Sequence, residues 1–428
     1  MKISLKYAKT KQIAEIPESH IQEIIEGNSV VNSKTEEQII DEALANPIDS
    51  PKISDLIHPG EKTCVVIPDF TRTWQKCSLY LPKIIAQLNA AGLEDRDIII
   101  ISATGTHRMQ TADEHRILIG DELANRFEIL DHDCRDNENH VYVGTTSFGT
   151  RVMIDRRAME CKHIIITGGI VYHFLPGWSG GKKSILPGIS SYETVMHNHG
   201  LSLVPEFGKG VRPTVHSGNI DNNPVYQDML EAANFVKPDF MFNVIVGHEG
   251  QIAGAVAGNY VTAHERGCRM VDQLNGVKIK GKADLVVATA GGYPKDINFY
   301  QSIKVLLNAE RAVKDGGTAI LMFDCPEGIG GDGGLEDILT NFSTMNDREK
   351  CLRDAFSISK FVGYYFCSVE TRVHVIMVTN LNPDTFKTTG IILKKTLKEA
   401  VEEAKTFLPD DYTANIMPLG ANTFPITE

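Results

Sequence analysis

The segment GGIVYHFLPGWSGGKKSILPGISSYETVMHNHG, residues 168–200, gathers glycines around Lys182 and Lys183 and also carries His173, His197, His199 and Trp178. Glycine lets backbone N–H groups approach an anion, and paired lysines add charge, so the segment has the chemistry of a phosphate cradle. It is not a Walker loop. Pro176 stands five residues before Gly181, and the lysine preceding Ser184 follows Lys182 where that motif needs glycine. ATP or GTP held in that manner is therefore not expected. Trp178 beside cations and glycines calls for a ligand or partner to cover it. The His197/His199 pair, in H-x-H spacing, offers metal ligands, although such pairs are also common in solvent.

Other reactive groups follow apolar runs. After CVVIP comes Asp69-Phe70-Thr71-Arg72, where an acid, a hydroxyl and a guanidinium fork suit a carboxylate or phosphate. After DIIIISATG comes Thr106-His107-Arg108, which puts an imidazole at the mouth of the same sheet. GGYPKDINFYQSIK (291–304) places Gln301 and Lys304 three apart on one helix face. GIGGDG (328–333) satisfies the dinucleotide fingerprint formally. The acid about 20 residues on, Asp354, falls in a helical pattern and not at a strand end, where a ribose would need it.

These groups need a scaffold. A length of 428 residues predicts two or three domains at about 150 each. The runs CVVIPD (64–69), DIIIISATG (97–105), HIIITGG (163–169) and PDFMFNVIVG (238–247) are apolar without alternation, as in strands buried on both faces. Helical patterns at 35–45, 79–91, 113–123 and 262–274 separate them. After the polar NGVKIKGKAD, a second series begins with LVVATAGG (285–292), TAILMFDC (318–325) and VHVIMVTN (373–380), with helices at 300–313 and 335–340 between them. The expected fold is α/β with two domains, each a mostly parallel sheet flanked by helices, and the active site in the cleft between them. The boundary falls near 276–281, giving an N-terminal catalytic and cofactor-binding domain 1–276 and a C-terminal domain 277–428 whose last helix can pack back on the first. The opening alternation of Ile3, Leu5 and Tyr7, followed by Ile13 and Ile16, predicts a hairpin or edge strand covering a sheet edge.

Composition narrows the partners. The 43 basic against 55 acidic residues give a net charge of -12, which disfavours nucleic acid and anionic membranes. There is no signal-like start and no apolar run long enough to span a bilayer, so a cytoplasmic location is expected. Eight scattered cysteines without a C-x-x-C pair point to reduced thiols and not to a zinc site.

Along nearly its whole length the sequence resembles the nickel-dependent lactate racemase family. The matching motifs run in order: DFTR (69–72), ATGTHR (103–108), GGIVYHFLPGWSGGKKSILPG (168–188), HNHG (197–200) and GGYPKDINFYQSIK (291–304). The resemblance implies nickel held in a pincer nucleotide, a thiolated pyridinium mononucleotide bonded covalently to Lys183. It also implies His199 as the nickel ligand, and cofactor-biosynthesis proteins as partners for loading. Asp69, Thr71, Gly180, Gly181 and Lys182 match the cofactor-binding positions. His107 and His173 match the catalytic pair, and Arg72, Gln301 and Lys304 the substrate-carboxylate contacts.

The chemistry agrees with this assignment. The C2 proton of a 2-hydroxy acid is barely acidic beside a carboxylate, so removing hydride to an electrophilic pyridinium is easier. The hydroxyl proton must leave with it, and a planar keto acid has two faces, so two bases are needed. Imidazoles serve in both directions near neutral pH. Trp178 and Tyr364, the latter in KFVGYYFC (360–367) where the family commonly has an aromatic followed by His-Lys, suggest a side chain larger or more polar than the methyl of lactate. The alternatives are an NAD-dependent 2-hydroxy acid dehydrogenase using GIGGDG, and a non-catalytic protein that binds a phosphorylated metabolite at SGGKKS. A homo-oligomer is compatible with either.

Overall fold

The computed structural model describes residues 1–28, 33–247 and 249–427. The chain divides into two compact units. The smaller comprises Met1–Ser29, Val204–Val211 and Leu274–Glu428, and the larger Val30–Leu203 and Arg212–Gln273.

The N-terminal strands β1 (Lys2–Tyr7) and β2 (Thr10–Glu15) pair antiparallel as a hairpin, and β3 (Ile21–Ile24) follows. All three belong to the smaller unit, so the expected domain starting at residue 1 is corrected here. Ile3, Leu5, Tyr7, Ala14 and Ile16 cluster with Leu285, Val287, Ile320, Met322, Ile376 and Val378. Those partners alternate along their strands and so share one face of a sheet. The hairpin therefore covers a face, where the sequence suggested an edge. An apolar stripe needs a broad apolar surface, which a sheet face supplies and an edge does not.

The larger unit is built on six strands in the order β13-β12-β9-β4-β5-β6. These are β4 (Thr63–Pro68), β5 (Ile98–Ala103), β6 (Ile129–Asp131), β9 (His163–Gly169), β12 (Phe240–Val246) and β13 (Ile252–Gly258). All pairs are parallel except β12 with β13. Every residue of β4 and β9 is buried, the two-sided burial their unbroken apolar runs predict. Two small ribbons complete the unit: β7 (His140–Thr145) with β8 (Arg151–Asp155), and β10 (Tyr172–His173) with β11 (Gly177–Trp178). Helix starts follow local chemistry. Thr35 and Thr111 each close a capping box, on Gln38 and Glu114. The helix expected over 113–123 is two helices, Ala112–Ile119 and Asp121–Arg126, because Gly120 between them has φ +85° and does not continue the first.

The smaller unit resumes with β14 (Gly276–Lys278), β15 (Ala283–Thr289), β16 (Val313–Met322), β17 (His374–Val378), β18 (Ile392–Lys394), β19 (Ala414–Met417) and β20 (Phe424–Ile426). Its six-stranded sheet, β18-β17-β16-β15-β19-β3, is parallel throughout. The last helix, Leu397–Ala404, buries Leu397, Ala400, Val401 and Ala404 in the same cluster as the hairpin. It thus packs on its own unit. Residues 328–333 cover the start of the helix Phe299–Ala309: the Phe299 and Tyr300 N–H groups donate to the Gly328 and Ile329 carbonyls. Asp354 ends the helix Met345–Asp354 in an exposed pair with Lys350. Asp354 therefore sits at a helix end and not at the strand end where a dinucleotide's ribose would need it.

Candidate active site

In the larger unit the adjacent strands β9, β4 and β5 run parallel, so the loops after their C-terminal ends lie side by side. Open α/β sheets place their ligands there.

Asp69 leaves β4 and is 4% exposed. One carboxylate oxygen accepts from the Thr71 hydroxyl at 2.7 Å, and the other is bonded to His107 Nδ1. Burial pushes the Asp69 carboxyl up, but the His107 and Thr71 bonds and the Arg72 charge outweigh it and leave it below the usual range. Asp69 is therefore a carboxylate that holds Nδ1–H of His107, leaving Nε2 of this half-exposed ring able to accept a proton. His107 is set further by its own N–H, which donates to the Thr104 carbonyl.

His173 sits in the β10–β11 ribbon opposite Gly177 and stacks on Phe174 at 4.8 Å. Its Nδ1 accepts the Leu175 N–H at 3.2 Å, so in the neutral ring the proton resides on Nε2. In their neutral forms the two imidazoles thus carry the proton on opposite nitrogens.

The loop after β9 turns through the short helix Gly181–Ser184, which sends the two lysines apart. Lys182 is 2% exposed, with its ammonium 3.8 Å from the centre of the Tyr226 ring and 3.5 Å from His264 Nδ1. Burial pushes its pKa down to about 8. The Lys183 side chain makes no hydrogen bond or ion pair among the described residues. Burial, with the Arg72 charge nearby, brings its pKa down to about 7. Arg72 is half-buried and likewise has no carboxylate partner among the described residues.

The glycines expected to cradle a phosphate are occupied by protein. A Cβ at Gly180 would meet Asn243 Oδ1 at 2.6 Å, at Gly181 the His264 ring at 2.8 Å, and at Gly188 the Ser184 carbonyl. The Gly181 N–H already donates to Asn243 Oδ1 at 2.7 Å. Lys182, Gly181 and Thr71 therefore have intramolecular partners where a bound anion was expected. Their glycines and charges serve close packing of the loop on β12 and on the helices Pro224–Val236 and Thr262–Asn275.

His199 lies on the helix Tyr192–Gly200, capped by Ser191. It is 2% exposed, and its Nδ1 has no hydrogen-bond partner. Burial and the Lys183 charge, against the Val195 carbonyl, lower its pKa to about 3, so the ring is neutral. His197 points outward and bonds the Thr150 hydroxyl at 2.7 Å. No group of three or more His, Cys, Asp or Glu that could hold a metal occurs among the described residues. A metal at His199 would thus need donors from another bound group.

Trp178 is 8% exposed, tilted on Tyr172 at 5.7 Å, with its indole N–H unpartnered. In the smaller unit Gln301 and Lys304 are both exposed on the helix Phe299–Ala309, whose start Asn298 caps. Tyr364 departs from expectation. It is 3% exposed and donates its hydroxyl to Glu349 at 3.1 Å, and that carboxylate also accepts the Gly208 and Gly210 N–H groups. Its hydroxyl is committed within the unit. Sequence reading missed the Asp69–His107 bond; the signal available was an acid and an imidazole after neighbouring parallel strands.

Comparison with known proteins accords with this layout. The family description Lactate racemase N-terminal domain matches residues 7–209, and Lactate racemase C-terminal domain matches 278–424. The chain is 32% identical over 427 residues to the lactate racemase of Thermoanaerobacterium thermosaccharolyticum, covering 98% of each. It is 31% identical over 412 residues to that of Lactiplantibacillus plantarum, covering 94% of each. The lactate racemase apoprotein structure from T. thermosaccharolyticum superposes with a TM-score of 0.90 over 100% of both chains, at 31% identity. A Thermotoga maritima protein, at 19% identity and a TM-score of 0.64 over 94% of this chain and 100% of that one, shares the fold. No helix among the described residues is long and apolar enough to cross a membrane. The chain belongs to the lactate racemase family and is an isomerase of the racemase class.

Proposed function

We propose that the chain inverts C2 of a 2-hydroxy acid, lactate or a larger one, through a 2-keto acid, with a nickel-pincer nucleotide bonded to Lys183. Three features of the larger unit fit that group. The Lys183 amine, its pKa brought down to about 7 by burial, is unprotonated in about half of the molecules at neutrality and so available as a nucleophile. Arg72 is a cation without an anionic partner among the described residues, and His199 keeps a buried, neutral ring with an unpartnered nitrogen. When bound, the group supplies the hydride acceptor that makes the C2–H bond cleavable.

The observation that carries the reading is the opposite tautomers of His107 and His173. His107 is ready to take a hydroxyl proton at Nε2, and Asp69 stabilises the imidazolium that forms. His173 presents Nε2–H, which holds a substrate oxygen by donation. To act as a base in the opposite direction, His173 must release the Leu175 N–H and shift its proton to Nδ1. Arg72 holds the substrate carboxylate, and Gln301 and Lys304 are assigned the same role on their motif. Loading by biosynthesis proteins belongs to the same proposal. With Tyr364 committed to Glu349, side-chain preference rests on Trp178, so lactate stays within the substrate range.

Rapid mixing of holoenzyme with each pure enantiomer tests the reading, since a cofactor absorbance change should precede inverted product. His107→Ala should slow that change for one enantiomer and His173→Ala for the other. Equal rates for both enantiomers in both variants would overturn the two-base assignment.

A further inference from the structure

The Asp69–His107 pair joins loops that follow different strands, so something must fix the gap between them. Gln110 does this from three residues beyond His107. Its Oε1 accepts the Phe70 N–H at 2.5 Å, at the residue between Asp69 and Thr71. Its Nε2 donates to Asp131 Oδ1 at 2.6 Å and to the Ser102 hydroxyl at 2.8 Å. Its backbone N–H donates to Asp131 Oδ2 at 2.5 Å. Asp131 ends the edge strand β6, is 8% exposed, and is also met by His115 Nε2 at 2.8 Å.

Both ends of the Gln110 amide are used, so its orientation is fixed: oxygen on the Asp69 loop, nitrogen on Asp131. Only a carboxamide opposite a carboxylate satisfies the arrangement. A carboxylate at 110 would face Asp131, and a carboxamide at 131 would turn N–H against N–H. We propose that Gln110, held by Asp131, is a positioning residue that sets the Asp69–His107 pair. The proposal rests on the reading of His107 as a base, and the test separates the two.

The variants are Gln110→Ala, Gln110→Glu, Asp131→Asn and the double exchange Gln110→Glu with Asp131→Asn. Nitrogen NMR of the ¹⁵N-histidine-labelled apoprotein, assigned with His107→Ala, reports whether His107 holds its proton on Nδ1. In all three single variants the His107 signals should move toward those of Asp69→Asn, and in the double exchange they should return. On holoenzyme, the single variants should lose about 100-fold in kcat with KM little changed, the effect of a misplaced catalytic group. The double exchange should recover most of the loss. Unchanged His107 signals in the single variants, or activity losses that only follow loss of folded protein and are not recovered by the exchange, would overturn the proposal. Full activity of His107→Ala would sink the base reading alone, because the ring signals test positioning without turnover.

Discussion

The short helix Gly181–Ser184 has two sides, and neighbouring lysines show how differently one loop can treat the same side chain. On one side Lys182 is enclosed by the Tyr226 face and His264, whose Nε2 is in turn bonded to the Ser179 carbonyl at 2.9 Å. Cys268 closes that group, its sulfur 3.7 Å from His264 Nδ1. On the other side Lys183, Arg72 and the His199 Nδ1 lack hydrogen-bond or ion-pair partners among the described residues. Buried polar groups are ordinarily satisfied, and those left over concentrate where a ligand completes them. The first side holds the loop, and the second presents the groups proposed to meet the cofactor.

The largest expected effect separates the lysines. Lys183→Ala should abolish both the covalent adduct and turnover, whereas Lys182→Met should keep the adduct; peptide mass mapping of protein from a host that makes the cofactor decides this. An adduct on Lys182 would reverse the comparison. Next come the bases: His107→Ala and His173→Ala should each cost a factor of about 100 to 10,000 in the half reaction with one enantiomer, measured by rapid mixing. On the same scale of contrast, His199→Ala should lower nickel retention and activity together, while His197→Ala, already bonded to Thr150, should leave nickel near the wild-type content by elemental analysis.

The lysines also make a pH prediction. Both have folded pKa values, about 7 and about 8, below the unfolded value near 10.4. Between those limits the unfolded chain binds more protons, so their contribution makes apoprotein stability rise as pH goes from about 7 to about 10. Urea midpoints across that range should rise less steeply in Lys183→Met and in Lys182→Met. Parallel slopes in wild type and variants would show that neither amine is perturbed. The smallest effect belongs to Tyr364→Phe. It should cost about 1 kcal/mol of stability through the lost Glu349 bond and leave the ranking of lactate, malate and phenyllactate unchanged. A changed ranking would return the hydroxyl to the substrate.

Much of the scaffold is written locally. Unbroken apolar runs such as TCVVIP and HIIITGG identify strands buried on both faces, and threonine caps mark helix starts, because these signals depend only on near neighbours. Motif spacing alone also placed the reactive residues after strand ends. The fate of the first 28 residues was not legible. Their alternation specifies an apolar face but not which sheet receives it, and tertiary packing assigned them to the C-terminal sheet. The glycines of the lysine loop were equally ambiguous, since glycine permits close approach by a ligand or by protein, and here Asn243, His264 and Ser184 fill the space. The sequence by itself determined the strands, their alternation with helices and the inventory of histidines, lysines and acids. Only the tertiary structure decided that Asp69 serves His107, that Gln110 bridges their loops, that Lys182 faces Tyr226 and that Tyr364 serves Glu349. Each of these depends on side chains meeting across separate strands or helices, and no local spacing encodes such a meeting.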